Sequence, residues 1–332
     1  MAGEKPYLSI IVPVYNEREC LPILHEKIAE VAQDLGFAWE VIYVDDGSTD
    51  GSTDILLDLH QHGNVTVAVQ RRNFGKSQAL RVGFNLGRGK VLVTMDADLQ
   101  DDPAEIPRLL ASLDEGYDII SGWKKNRQDP LTKIIPSKIA NRVTTLLSGV
   151  QLRDMNSGLK AYRAECVRNL QVYGDLHRFM PLIAHYNGFR VSEIPVAHHK
   201  RRFGHSKYGT ERFVRGGLDL LTVLFLHRYG RRPLHFFGGL GLLILITGFT
   251  INLTLTVQWM RGMRPLSERP LLTLGVLLMV VGGQLITTGL LAELLVAHIQ
   301  STKNPLETVS QVHYSVDHPQ LAAAREANDN AQ

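Results

Sequence analysis

Short apolar runs rich in β-branched residues alternate with amphipathic stretches along the first part of the chain. The apolar runs predict buried strands at 8–14, 39–44, 65–69, 91–95 and 117–121. Between them, apolar residues recur at helical spacing, for example from Leu21 to Leu35, and a further helix is predicted from Ser77. This alternation is typical of βαβ units, so the sequence predicts an α/β, Rossmann-like domain with a mostly parallel sheet.

Two long uncharged runs lie near the C-terminus. No Asp, Glu, Lys or Arg occurs from Leu234 to Met260 or from Pro270 to Ala292. Because about 20 apolar residues span the hydrocarbon core of a bilayer, both runs predict transmembrane helices, at about 234–260 and 270–297. The short link between them predicts a hairpin.

The stretch before the hairpin is amphipathic, which predicts an interfacial helix; an ordinary core helix is the alternative. The predicted organisation is an α/β domain at 1–210, a juxtamembrane helix at 211–232, a transmembrane pair at 233–298 and a partly disordered tail at 299–332. Basic residues before the first span favour a cytoplasmic α/β domain on the inner membrane. Three arginines in the link between the two spans weaken this prediction of a cytoplasmic orientation, whereas the lack of a signal-peptide pattern supports it.

Composition excludes some classes of function. The net charge of +3 is mild, and basic residues do not interleave with aromatic ones as on a base-stacking surface, so no nucleic-acid partner is expected. Cys20 and Cys166 lie far apart and form no metal or redox motif, which suits a reducing compartment.

Polar residues follow four of the predicted strands, in the segments 13–17, 45–50, 73–76 and 96–98. Open α/β sheets bind ligands beyond the carboxyl ends of their strands, so we expect these segments to form one site. Asp96 and Asp98 flank one small residue, and carboxylates at this spacing can reach a hard divalent cation such as Mg²⁺ or Mn²⁺ together. An acidic strand-to-helix turn without metal is the alternative.

Four other interpretations fit less well. Residues 46–57 have calcium-loop spacing, but Leu57 occupies the position that needs Glu. Residues 87–90 lack the upstream glycine of a P-loop. A phosphatase would place its nucleophilic Asp on the first strand, whereas Asp96 follows the fourth. No Cys or carboxylate completes a zinc site with the histidines His198, His199 and His205.

Longer motifs carry a family resemblance. The segments 13–17 (PVYNE), 45–50 (DDGSTD) and 96–103 (DADLQDDP) resemble family 2 glycosyltransferases of the GT-A fold. The segments 154–160 (DMNSGLK) and 201–208 (RRFGHSKY) resemble its dolichyl-phosphate mannose synthase and bacterial polyprenyl-phosphate glycosyltransferase branch. The resemblance implies inverting transfer of a sugar from a nucleotide diphosphate sugar to undecaprenyl or dolichyl phosphate at a lipid bilayer.

The resemblance also implies site residues. It places the nucleotide sugar at Pro13, Tyr15, Glu17, Asp46, Lys76, Asp96, Gln100, Lys124 and Arg201. It places the metal at Asp96, Asp98 and Gln100. The residues expected to act in catalysis are Asp98, Asp154, Arg202 and Lys207. In one departure, many relatives have Gly-x-Arg where this chain has Gly122-Trp123-Lys124, so the basic role falls on Lys124 or Arg127.

Acceptor chemistry assigns a role to the basic segment. A phosphate monoester has a second pKa near ~6, so it is largely dianionic at neutral pH and attacks without a general base. It needs positive charge, which Arg201, Arg202 and Lys207 supply; a solvated basic face is the alternative. Asp154 is the remaining candidate base, with helix capping as its alternative.

Two other functions stay open. A processive polysaccharide synthase would normally have more spans and a Q-x-x-R-W-like motif, neither of which is visible. A non-catalytic sugar-nucleotide-binding scaffold is disfavoured by the intact Asp96 and Asp98. Glycines in both spans would permit close helix contact within one hairpin or between hairpins, which leaves a homo-oligomer possible.

Overall fold

The computed structural model describes residues 5–61, 64–125, 131–168, 170, 174, 176–203, 211–230, 232–263 and 270–302. The chain forms two compact units, Met1–Gly230 and Arg231–Gln332. The strands of the first unit are β1 Leu8–Val14, β2 Trp39–Asp45, β3 Val65–Val69, β4 Val91–Thr94, β5 Ile119–Lys124, β6 Lys160–Arg163 and β7 Val191–Val196.

The helices of the first unit are α1 Leu21–Asp34, α2 Ser52–His60, α3 Lys76–Leu86, α4 Ile106–Asp114, α5 Leu131–Ser148, α6 Ala164–Arg168, α7 Met180–Tyr186 and α8 Glu211–Tyr229. Short 3₁₀ turns precede α4 and α7, at Pro103–Glu105 and Leu176–Phe179. Asp102 caps the first of these turns, because its Oδ1 accepts a hydrogen bond from Ala104 N at 3.1 Å.

The seven strands form one sheet in the order β3-β2-β1-β4-β6-β5-β7. Four pairings are parallel, and only β6 runs antiparallel to its neighbours β4 and β5. The predicted mostly parallel α/β sheet is therefore confirmed. Successive residues of β1 point to opposite faces of the sheet, so that Ile10 packs into one core and Ile11 into the other. Burial on both faces explains why the strand is a continuous apolar run.

The last predicted strand differs from the observed one. It was expected at 117–121, whereas β5 begins at Ile119 and continues to Lys124. Its register against β7 extends to the pair Lys124 and Val196, and these added hydrogen bonds carry the strand past the predicted end. Lys124 therefore lies on the sheet and not on the loop after it.

Helix α8 belongs to the first unit. Its residues Leu220 and Val223 are buried in a cluster with residues of 150–155 and 176–182, while Leu218 and Leu221 on the same helix are exposed. The core-helix alternative therefore holds for one face of α8, and the helix ends at Tyr229, before the predicted bound of 232. The interfacial role of its exposed face stays a prediction.

The second unit contains α9 Pro233–Met260 and α10 Pro270–Thr302, which form the predicted hairpin. Residues Pro233–Met260 and Pro270–Val296 are long and apolar enough to cross a membrane. A Cβ on Gly241 would lie 2.7 Å from the Gly282 carbonyl oxygen, so these glycines serve contact between the two helices of the hairpin.

Candidate functional site

The loop after β4 carries the two carboxylates around which the site is built. Asp98 is 8% exposed and its Oδ1 accepts a hydrogen bond from Gln100 N at 3.1 Å, which closes a tight turn. Leu99, which lies between Asp98 and Gln100, has φ of 60°, a left-handed backbone conformation that is costly for a non-glycine residue. Its side chain is buried in the main core, so packing stabilises the strained turn and fixes the direction of Asp98.

Each carboxylate is paired with a cation from a distant part of the chain. Lys76, the first residue of α3, forms an ion pair with Asp96. Arg201 donates to Asp98 Oδ2 at 2.5 Å and to Glu17 Oε1 at 3.2 Å. The structure therefore brings these five predicted site residues together.

A second layer of charge lies under this loop. Lys124 is paired with Asp101, with 3.1 Å between Nζ and Oδ1, and both side chains are almost completely buried. Lys160 on β6 is 3% exposed and donates to the Ser157 carbonyl oxygen. Lys124 was predicted as a site residue, whereas the sequence analysis assigned no role to Asp101 or Lys160. Both are charged residues within motifs that carry the family resemblance, 96–103 and 154–160, and this could have drawn attention to them.

Burial and charge act differently on the carboxylates. Burial alone would raise the pKa of Asp96, but the nearby ammonium groups, above all that of Lys76, outweigh it and hold the pKa well below its usual range. Burial, followed by the charges of Asp96 and Asp101, raises the pKa of Asp98 to about 6, although Arg201 opposes this. Neighbouring cations therefore compensate the negative charge of Asp98 less completely than that of Asp96.

The position of Asp96 depends on a glycine. A Cβ on Gly158 would lie 2.6 Å from Asp96 Cγ and 2.8 Å from Asp101 Oδ2. The Gly158 carbonyl oxygen also accepts a hydrogen bond from Thr94 Oγ1 at 2.9 Å, which ties it to the end of β4. The backbone can therefore approach the acidic loop only if this residue lacks a side chain.

We expect Gly158→Ala to destabilise the fold by about 1–3 kcal/mol, because the methyl group overpacks a rigid site. Urea unfolding of the purified protein measures this. Gly217→Ala is the matched control, since a Cβ there meets nothing within 4 Å and an alanine inside α8 should be neutral or favourable. Equal stability of Gly158→Ala and the wild type would contradict the tight packing against Asp96.

Asp46, predicted to hold the nucleoside, is already bound by the loop that precedes α3. Its carboxylate accepts hydrogen bonds from Phe74 N at 2.7 Å, Gly75 N at 2.9 Å and Gln70 Nε2 at 3.1 Å. Burial raises the pKa of Asp46, and these two backbone donors oppose the rise. Asp46 therefore shapes the loop that carries Lys76.

The first two strand-end loops are tied to each other. Asn16 N donates to Ser48 Oγ at 2.9 Å, and Thr49 N donates to Asn16 Oδ1 at 2.7 Å. Asn16 has φ of 54°, which an Asn tolerates better than most residues. Pro13 lies on β1 and Tyr15 directly precedes Asn16, and both are half-buried; their contact with a nucleoside stays a prediction.

The remaining predicted residues are less clustered. Asp154 is buried, and its Oδ1 accepts a hydrogen bond from Asn156 N at 3.2 Å. It therefore closes a turn before strand β6, and it does not cap a helix as its alternative expected. Arg202 is exposed and makes no hydrogen bond or ion pair with the residues that the structure describes. Lys207 and Arg127 lie outside the described residues.

Among the described residues, no group of three His, Cys, Asp or Glu side chains is placed to hold a metal ion, and this applies to the acidic loop as well as to His198 and His199. His199 Nε2 instead lies 2.7 Å from Asp102 Oδ2. His205 is outside the described residues. Gln100 Nε2 donates to the His199 carbonyl oxygen at 3.4 Å, which links the acidic loop to the segment carrying Arg201.

Solved structures agree with this architecture. Glucosyl-3-phosphoglycerate synthase from Mycobacterium tuberculosis, in complex with Mn²⁺, UDP and glucosyl-3-phosphoglycerate, matches 67% of this chain and 80% of its own with a TM-score of 0.52. At 16% sequence identity this likeness shows the fold alone, and it confirms the expected GT-A-like architecture.

Sequence relatives are more specific. A dodecaprenyl-phosphate galacturonate synthase of Rhizobium johnstonii is 39% identical over 297 residues, 87% of each chain. An undecaprenyl-phosphate 4-deoxy-4-formamido-L-arabinose transferase of Salmonella paratyphi B is 35% identical over 289 residues, covering 86% of this chain and 87% of its own. Residues 9–170 match the family model described as glycosyl transferase family 2. The chain belongs to this family and is a glycosyltransferase.

Proposed function

We propose that this glycosyltransferase moves a sugar from a nucleotide diphosphate sugar to a polyprenyl phosphate at the membrane surface. The observation that carries the proposal is the convergence of Asp96, Asp98, Glu17, Lys76 and Arg201 at the carboxyl edge of the sheet. The names of both relatives described above contain a polyprenyl phosphate, dodecaprenyl phosphate in the synthase and undecaprenyl phosphate in the transferase. The apolar hairpin supports an acceptor that resides in a bilayer.

The donor set suits a hard divalent cation, Mg²⁺ or Mn²⁺. Asp96, Asp98 and Gln100 offer oxygen ligands on one short loop. Burial, and then the charges of Asp96 and Asp101, raise the pKa of Asp98, and a bound cation would offset this repulsion between the carboxylates. When bound, the cation would act as a Lewis acid that stabilises the departing nucleoside diphosphate. Lys76 and Arg201, which now neutralise the two carboxylates, would then be available to contact phosphate oxygens.

Other residues would orient the donor. Pro13, Tyr15 and Glu17 lie beside the loop of Asp46 and would form the nucleoside side of the site. Lys124 would add charge beneath the diphosphate, because its own pKa is raised by Asp101 and Asp96 despite the opposing effect of burial, so it stays an ammonium. Buried, fixed charges of this kind stabilise a transition state without reorganising.

The acceptor would approach from the bilayer. Leu218, Leu221 and Leu226 of α8 are exposed, and α5 exposes Ile139 and Leu146 in the same way. Exposed leucines on two packed helices would be costly in water and suit the boundary between headgroups and acyl chains. Arg202 and Lys207 would bind the acceptor phosphate, and Asp154 would support them electrostatically without acting as a base.

The proposed topology has both chain termini and the catalytic unit in the cytoplasm of the cell, on the inner face of the membrane. We expect a reporter fused after Gln332 to report a cytoplasmic location, and a reporter fused before Met1 to do the same. Two spans return the chain to its starting side, so opposite locations for the two ends would contradict the hairpin. A fusion within 264–269 serves as the control and should report the opposite side.

A transfer assay tests the function itself. The purified protein is incubated in detergent with polyprenyl phosphate, Mn²⁺ and a panel of radiolabelled UDP- and GDP-sugars. We expect label from one donor to enter the organic phase and to be released by mild acid, as a glycosyl phosphate would be. Label in a water-soluble polymer would favour a processive synthase, and binding of a donor without turnover would favour a scaffold.

A further inference from the structure

Lys76, the residue that α3 contributes to the site, is fixed through the two residues beside it. On its N-terminal side, Gly75 N donates to Asp46 Oδ2 at 2.9 Å, so a buried carboxylate holds the backbone that enters α3. On its C-terminal side, Ser77 is 4% exposed, and its Oγ lies 2.7 Å from His177 Nδ1. The backbone of Lys76 is therefore held at both ends.

The contact between Ser77 and His177 joins two segments that lie 100 positions apart in the chain. Ser77 Oγ accepts a hydrogen bond from His177 N at 3.4 Å, which leaves the hydroxyl hydrogen free to be donated to Nδ1. Burial, followed by the charge of Lys76, holds the pKa of His177 well below its usual value, so the imidazole is neutral and Nδ1 can accept. Because both side chains are buried, removal of the imidazole would leave the hydroxyl without this acceptor, at a cost in free energy.

His177 is itself held firmly, because the 3₁₀ turn Leu176–Phe179 carries it. Leu176 and Phe179, at the two ends of this turn, are buried in one cluster with Val223 of α8. The turn therefore contacts α3 on one side and α8 on the other. A side chain carried by such a packed turn has little freedom, so it can keep its hydrogen-bonding partner in one position.

We propose that His177 is a positioning residue of the transfer reaction, which acts through Ser77 to hold the ammonium of Lys76 in place at the donor diphosphate. The inference rests on the proposed function, since it assumes that Lys76 contacts the diphosphate of a nucleotide sugar. Negative charge builds up on the nucleoside diphosphate as it departs, and a fixed ammonium stabilises that charge without reorganising. An ammonium on a loosened helix end would stabilise it less. A core histidine that only fills space is the alternative.

Two substitutions of His177 test whether the hydrogen bond matters for the reaction. His177→Leu keeps a side chain of similar width and removes the acceptor, whereas His177→Asn places an amide oxygen close to the position of Nδ1. With the donor that the transfer assay above identifies, we expect kcat to fall at least ~10-fold in His177→Leu while KM for the donor changes less than ~3-fold, because the lost stabilisation belongs to the transition state. His177→Asn should keep most of the wild-type kcat. Each kcat is divided by the number of sites that bind UDP or GDP with Mn²⁺ in calorimetry, so that unfolded protein is not counted.

The same substitution in a Lys76→Met background gives a readout that packing alone would not change. If His177 acts through the ammonium of Lys76, His177→Leu should lower kcat by less than ~2-fold once that ammonium is absent. Ser77→Ala should reproduce the loss of His177→Leu, and the two together should lose no more than either alone. Equal losses from His177→Leu in both backgrounds would show that His177 only packs, and would overturn the inference.

His185→Leu is the matched control, since it makes the same change at an exposed histidine of α7 and should leave kcat unchanged. If His177→Leu does not fold, Ser77→Ala removes only one oxygen and carries the test in both Lys76 backgrounds. Wild-type kcat in His177→Leu, or an equal loss in His177→Asn, would also contradict the positioning role. These outcomes leave the proposed function intact, because that function fails only if the wild type transfers no sugar to polyprenyl phosphate.

Discussion

Asp98→Asn is expected to lower kcat/KM by at least ~10²-fold, about 2.7 kcal/mol of transition-state stabilisation. The substitution keeps the size of the side chain and one oxygen, and Gln100 N still has its acceptor. What disappears is the charge that would bind the cation and that now pairs with Arg201. Steady-state transfer with saturating lipid and titrated Mn²⁺ measures the loss.

A chelator should abolish wild-type turnover, and added Mn²⁺ or Mg²⁺ should restore it. Mn²⁺ binding, followed by electron paramagnetic resonance without any substrate turnover, should weaken in Asp98→Asn. Asp114→Asn is the control, because this aspartate is exposed at the C-terminal end of α4, outside the acidic loop. Full activity of Asp98→Asn in excess chelator would show that no metal works at this loop.

The strands nearest the site were predictable because their residues repeat a simple pattern. β1, β2 and β4 are short apolar runs buried on both faces, and β3 is an apolar, half-buried run at the sheet edge; each ends close to the predicted residue. β6 was not predicted, since it has only four residues and begins and ends with the charged Lys160 and Arg163. β7 contains Glu193 and Pro195 and is mostly half-buried at the sheet edge, so it lacks that pattern as well.

The site was predictable in membership but not in its contacts. Strand-end position was enough to name Asp96 and Asp98, because parallel strands bring their carboxyl ends to one edge. It could not show that Arg201, 103 positions further on, would bridge Asp98 and Glu17. Nor could it find the buried ammonium of Lys160, since a lysine in a sequence is expected at the surface and its burial depends on the packing of the whole sheet.

The variant Asp154→Asn tests whether the acceptor needs a general base. In Asp154→Asn the Oδ1 acceptor for Asn156 N is retained, so the turn should persist while the charge is lost. If the acceptor is a phosphate that is already dianionic, no base is required, and transfer should fall by less than ~10²-fold through weaker electrostatic support alone. Complete loss of transfer in this variant, with its fold intact, would show that a general base is needed.

Arg202→Ala should then impair the same reaction for a different reason. We expect kcat/KM for polyprenyl phosphate to fall by ~10²-fold, because a fixed positive charge offsets repulsion between the acceptor phosphate and the donor diphosphate. Donor affinity and stability should change little, since Arg202 is exposed and makes no hydrogen bond or ion pair with the described residues. Calorimetry with the nucleoside diphosphate separates the two effects, and the exposed Arg168→Ala in α6 is the control. If Arg202→Ala weakens donor binding as much as it slows transfer, this arginine serves the donor and the acceptor phosphate is held elsewhere.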